Sequence, residues 1–185
     1  IHPDGFRRLR RLLPRITDAL RASNAAHHIF HDILCDGRRT AQTLRRMNEA
    51  GVLAALFEDF VNIQTHMQYD MYHTVTADEH TIRACAVLHD IAAGRLSDTA
   101  PLATTLFPTL AMPRLLHLAM FLHDMAKGSG RDHARAGAAI AKKLAPRFGL
   151  NAGETDMLAW LIENHLLMTA TAFKRDLEDD KTIED

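Results

Sequence analysis

Three His-Asp dipeptides punctuate the chain, at His31-Asp32, His89-Asp90 and His123-Asp124. A histidine beside an aspartate is a common way to hold a divalent cation. The imidazole offers a nitrogen ligand and the carboxylate a hard oxygen, a mixture suited to zinc, iron or manganese. The chain has 12 histidines against 2 tyrosines and 1 tryptophan. Numbers alone do not separate ligands from scattered rings, so position must.

His89-Asp90 shares a helical stretch with His80. Nine residues at about 100° each put His89 roughly 180° from His80, on the opposite face. Asp90 lies about 15 Å along the axis from His80 at 1.5 Å per residue, so the two cannot share one ion. Ile-Ala-Ala-Gly follows the dipeptide, with no nearby cation or second histidine. His31-Asp32 belongs to an N-terminal helix. His27, His28 and His31 are spaced to chelate, but no further carboxylate joins them on that face. Both dipeptides read as incidental.

His123-Asp124 differs. It sits among Phe121, Leu122 and Met125, in the most apolar stretch of the chain. A carboxylate buried there is costly unless paired or coordinated. Lys127 follows at a spacing that shares the helical face of both residues. His133 comes next, beyond a Gly-Ser-Gly turn. His165 closes the stripe Leu158, Leu161, Ile162, His165, which should face the core, and Asp176 lies eleven residues further on. The resulting order is His80, His123-Asp124, His133, His165, Asp176.

These residues need helices to position them. Apolar positions recur with helical period, glycine and proline fall between the runs, and no alternating strand pattern persists. The stretch from Pro3 to Ser23 reads as a basic amphipathic arm broken at Pro14, and 24–35 as a second helix. Gly51 should divide two short helices. Thr76 and Glu79 form a T-x-x-E capping box, predicting a helix from Thr76 to Gly94. Residues 97–113 read as a proline-containing connection. Pro113 should open a central helix, buried on all sides, that ends at Gly128. Ala134, Gly137, Ala138 and Ala141 make a small-residue face on the next helix. Asn151 and Glu154 cap the one after it.

Composition bounds the function. The 185 residues are 47% hydrophobic and 24% charged, with a net charge of −1. That is enough apolar residue for a real core, and it argues against broad nucleic-acid binding, which needs a basic face. No apolar run approaches the ~20 residues that span a membrane. Cys35 and Cys85 are the only cysteines. A disulfide scaffold is therefore not expected, and a reducing, cytoplasmic compartment is. No signal peptide is visible. The first residue is Ile, so the chain is expected to be a piece of a longer protein.

The order of these histidines and aspartates resembles that of the HD superfamily of metal-dependent phosphohydrolases, which are all-helical. "RRMNEAGVLAAL", "MQYDMYHTVTADEHTIR", "LHLAMFLHDMAKG", "DHARAGA", "WLIENHLLM" and "KRDLEDDKTI" narrow the resemblance. Together they are similar to the central HD domain of the bifunctional uridylyltransferase/uridylyl-removing enzymes of bacterial nitrogen regulation, which act on the PII signalling protein. The resemblance covers the chain from about Arg39 to the end, and the N-terminal arm less clearly.

It implies an all-α, HD-domain helical bundle with an N-terminal helical arm at 1–66 packed on a core at 67–185. It implies one metal site of His80, His123, Asp124 and Asp176, with His133 and His165 added where a second metal binds. His73 and Lys127 match polar positions beside the metals. The implied cofactors are divalent ions, whether manganese, magnesium, iron or zinc. The implied reaction is hydrolysis of the UMP–tyrosine phosphodiester of uridylylated PII protein. Asp124 and Lys127 would serve catalysis directly, and His73 or His133 would be available as a general acid. The family's nucleotidyltransferase and ACT domains are absent from this chain and are its expected covalent partners. No nucleic acid and no membrane are expected.

Two other readings remain open. An HD phosphohydrolase of free nucleotides would need a closed pocket with base-specific contacts. A regulatory helical module would bind metal or nucleotide without turnover.

Overall fold

A computed structural model describes residues 3–37, 39–64, 75–128 and 132–174. His73, Asp176 and the acidic C-terminal stretch lie outside the described residues. Those described form α-helices joined by 3₁₀ turns and loops, with no strand among them. The all-α class is as expected.

The arm comprises α1 (Pro3–Leu12) and the single-turn α2 (Asp18–Arg21), separated by a 3₁₀ turn over Leu13–Arg15 that contains Pro14. Its arginines reach back to the body: Arg10 donates to the Glu49 carbonyl at 2.9 Å and Arg21 to the Ala55 carbonyl at 2.8 Å. Next come α3 (Asn24–Cys35), α4 (Thr40–Ala50), α5 (Val52–Leu56) and α6 (Val61–Gln64), with Gly51 dividing α4 from α5 as expected. Phe30, Leu34, Leu44, Leu53, Phe57, Phe60 and Ile63 from this half are buried in the same cluster as Ile82, Leu118, Phe121, Leu122 and Ile162. Phe121 is the hub, with ring centroids 4.8 Å from Phe30, 5.4 Å from Phe57 and 5.9 Å from Phe60.

The second half holds α7 (Ala77–Ala92), α8 (Pro101–Leu106), α9 (Pro113–Leu122), α10 (His133–Leu144), α11 (Ala152–Glu163) and α12 (Leu167–Lys174). The central helix is α9, against which α3, α7 and α11 pack. Its Leu115, His117, Leu118, Ala119, Phe121 and Leu122 are buried, each large apolar side chain contributing about 1.5–3 kcal/mol. The small-residue face of α10 is buried against α11. At Gly137 a Cβ would meet Ile162 Cγ2 at 3.1 Å and the His123 carbonyl at 3.4 Å. This position admits hydrogen where a side chain would push α10 off the His123 turn. The Asn151–Glu154 capping box of α11 forms in full.

Three local expectations are corrected. Thr76 is the N-cap of α7, but its side chain makes no capping bond. Glu79 instead takes Arg45 at 2.8 Å and Arg83 at 2.8 Å, because a charged pair outcompetes a neutral cap. Residues 97–113 are not a bare connection, since Pro101 opens the short α8. The helix of His123 stops at Leu122 rather than Gly128. Beyond it the chain runs in turns, with Met125 N–H donating to Leu122 and Lys127 N–H to Asp124, until Gly128 takes φ +87°.

Between α7 and α9 lies a buried stack of His89 and His117, ring centroids 4.3 Å apart. Burial first, then the neighbouring His89, His31 and Arg114, pushes the His117 imidazole down to about 4 from 6.5. The unfolded chain therefore binds that proton more readily. The neutral ring's contribution is full above ~6.5 and is lost as pH falls toward about 4. Urea unfolding of His117→Leu should show a shallower loss of stability between those limits than the parent. The slope that remains belongs to His27, His31 and His165, which burial also holds low. At neutral pH, Gly137→Leu should lower the unfolding free energy by about 1–3 kcal/mol, read as a reduced urea midpoint at unchanged slope.

Candidate metal centre

Asp124 is 2% exposed. Its two carboxylate oxygens face different partners. Oδ2 lies 3.4 Å from His123 Nε2, 3.8 Å from His80 Nε2 and 3.1 Å from Lys127 Nζ. Oδ1 lies 3.8 Å from His165 Nε2 and 3.9 Å from His133 Nε2. The result is two groups that share Asp124: His80, His123, Asp124 and Asp124, His133, His165. Within each, one ligand atom per residue lies within 4.8 Å of the others.

Each ring reaches this point by a different device. His80 sits one turn into α7. The start of α7 is pinned by Asp78, which accepts from Asn48 of α4 at 2.6 Å and from the Glu79 N–H at 2.9 Å. Asn48 in turn accepts from Gln64 of α6 at 2.7 Å. Residue spacing does not reveal this network. Its only local signal is an acid in the first turn of a helix, and the partners lie 30 and 16 residues from their acceptors. His133 is the first residue of α10, whose N-cap is Asp132, accepting from the Arg135 N–H at 3.3 Å. His123 and His165 follow the ends of α9 and α11. Each spends Nδ1 on the carbonyl three residues back, Met120 and Ile162, at 2.7 Å in both cases.

Those two bonds fix the chemistry of the rings. A carbonyl only accepts, so Nδ1 carries the proton and Nε2 of the neutral ring is a bare lone pair. Burial, before any other cause, also lowers the basicity of His165. Bare lone pairs aimed at a carboxylate are acceptor against acceptor, a repulsive arrangement unless a cation lies among them. The donor set therefore fits a divalent ion of the borderline kind, and the Nδ1–carbonyl bonds are the outer partners such ligands commonly have. Burial would raise the Asp124 pKa; His123, in its protonated form, and the Lys127 ammonium outweigh it and hold the carboxyl well below the usual carboxylate range, the part that a bound cation would take over among neutral rings.

The other two dipeptides do not join this cluster. His31 Nε2 is bonded to the Arg114 carbonyl at 3.0 Å, and Asp32 pairs with Arg114 at 2.7 Å. His89 Nε2 is bonded to the Leu34 carbonyl at 2.8 Å, and Asp90 pairs with Arg95 at 2.6 Å. In both, one ring nitrogen is spent on backbone and the carboxylate on an arginine, and neither pair belongs to a group of three converging ligand residues among the described ones. His73 and Asp176 fall outside the described residues.

Known proteins resemble this chain along its whole length. The family model described as the uridylyltransferase GlnD third domain matches residues 1–56, and the HD domain model matches residues 97–185. The chain is 49% identical over 185 residues to the bifunctional uridylyltransferase/uridylyl-removing enzyme of Azospirillum brasilense, covering all of this chain and 20% of that protein. The proteins of the same name from Novosphingobium aromaticivorans and Rhodospirillum rubrum are 47% and 45% identical over 185 residues, with the same coverage. The chain thus spans about one fifth of the length of the curated relatives it matches. Among the described residues no helix is long and apolar enough to cross a membrane. With an HD-domain match over the turn that carries His123-Asp124 and the same relatives along its whole length, the chain belongs to the family of the bifunctional uridylyltransferase/uridylyl-removing enzymes and carries that family's HD domain, a metal-dependent phosphohydrolase domain.

Proposed function

We propose that this chain hydrolyses the UMP–tyrosine phosphodiester of uridylylated PII protein. The observation that carries the reading is the convergence of four imidazoles and Lys127 on one buried carboxylate. The substrate follows from the relatives, whose name includes uridylyl removal. In the longer cytoplasmic protein this unit would act beside nucleotidyltransferase and ACT domains, with 1–66 serving as the arm of an HD core at 67–185.

His80, His123 and Asp124 would hold one ion, with Asp176 as a further ligand from outside the described residues. Asp124, His133 and His165 would hold a second. Manganese, magnesium, iron and zinc are the candidates, and the mixed nitrogen and oxygen donors favour the transition ions. Bound there, such ions lower the pKa of water and neutralise phosphate charge.

The chain's own residues do the rest. The Nδ1 bonds of His123 and His165 hold their rings in one orientation. Lys127, anchored on Asp124 at 3.1 Å, brings a point charge to the edge of the cluster, where a non-bridging phosphate oxygen would lie. The leaving tyrosine has a pKa near ~10 and departs without a strong acid. Where no second ion is bound, His133, about a third exposed and at the start of α10, would be free to give it a proton, as would His73 by its position in the family pattern.

The test is release of UMP from uridylylated PII protein with manganese. The parent should release it. His123→Ala and Asp124→Ala should not, and folded His89→Ala should match the parent. Equal loss in His89→Ala and His123→Ala would overturn the assignment of the site. Lys127→Ala should lower turnover by about 10²–10³ while retaining its metal, measured by elemental analysis of the purified variant.

A further inference from the structure

A cavity of about 330 Å³ opens directly beside the cluster, lined by Val75, His80, Arg83, Ala84, Val87, Leu88, Ile91 and Met120. Six of these lie on α7 at 80, 83, 84, 87, 88 and 91, so they form one stripe of that helix. Met120 of α9 and Val75 complete the walls. The stripe starts at a residue of the candidate metal centre and runs away from it for about 16 Å. Its polar groups are His80, turned to Asp124 at 3.8 Å, and Arg83, whose Nε donates to Glu79 at 2.8 Å. Val87, 48% exposed, leaves the groove open to solvent at its middle.

This lining discriminates between the two halves of the proposed substrate. A uracil presents two carbonyls and an N–H along one edge, and burying that edge without partners is costly. Apart from His80, turned to Asp124, and Arg83, ion-paired with Glu79, the groove offers aliphatic side chains and Met120. A phenol ring needs only apolar walls for its body. Its oxygen, as the bridging atom of the ester, stays at the cluster. The length also exceeds a single ring and suits about five residues of extended chain at 3.3 Å each.

We propose that this groove binds the tyrosyl leaving group and the polypeptide flanking it, and that the nucleoside lies outside it. The proposal rests on the phosphodiesterase reading above and assigns the orientation of the substrate within it. Val87 and Ala84 are then specificity-determining residues, one to two turns along α7 from His80 and not themselves ligands of the ion.

Methyl NMR of the 185-residue chain with magnesium tests this apart from turnover. Phenyl phosphate should shift the methyls of Val87, Ile91 and Met120, and UMP should not. Val87→Asp puts a charge into the groove at an already exposed position. It should weaken phenyl phosphate about tenfold and leave UMP within about twofold. Ala84→Phe, which fills the groove without a charge, should do the same. Shifts of these methyls by UMP, or no shift by phenyl phosphate, overturn the proposal. The separate assay of UMP release fails independently. Phenyl phosphate in the groove without UMP release would remove the substrate named above and leave the groove as an aryl site.

Discussion

A carboxylate with 2% of its surface exposed is the constraint on which the rest of the molecule turns. Left alone in an apolar interior, Asp124 would protonate or unfold its surroundings. Lys127 and four rings surround it instead. The rings come from α7, from the turn after α9, from the start of α10 and from the turn after α11. Four parts of the chain are thus tied to one side chain. The core around Phe121, three residues away, holds that side chain in place.

What separates the cluster from the other histidines is convergence, since among the described residues only the rings around Asp124 bring their remaining nitrogens to a shared carboxylate. His31 and His89 spend Nε2 on the carbonyls of Arg114 and Leu34 and become buried packing groups. His123 and His165 spend Nδ1 on carbonyls of their own helices and keep Nε2 for the centre. The early ends of α9 and α11 make this possible. Past the last helical turn a carbonyl has no N–H four residues on to bond it, and a ring that folds back can take it. Helix termination and ligand orientation are the same event here.

The N-terminal half contributes through packing and through one polar chain. Phe30, Phe57 and Phe60 enclose Phe121 under the His123 turn. Gln64, Asn48 and Asp78 connect α6 and α4 to the start of α7, and so set the height of His80. The matches to the two family models fall on either side of α7, and the hydrophobic core does not divide there.

Much of this was written in the chain. Periodicity gave the helices, Asn151 and Glu154 gave the cap of α11, and the small residues of α10 gave its close face, because each depends on neighbours within a turn or two. The burial of Asp124 and its distinction from the other two dipeptides were legible from apolar flanks and spacing. Tertiary structure decided the rest. It diverted Glu79 from a cap to Arg45, stacked His89 on His117 and ended α9 at Leu122. It also gave Asp78 its role, through residues far along the chain. A local pattern states which bonds a group can make. Only the folded chain, by bringing a stronger or better-buried partner from a distance, decides which bond it does make.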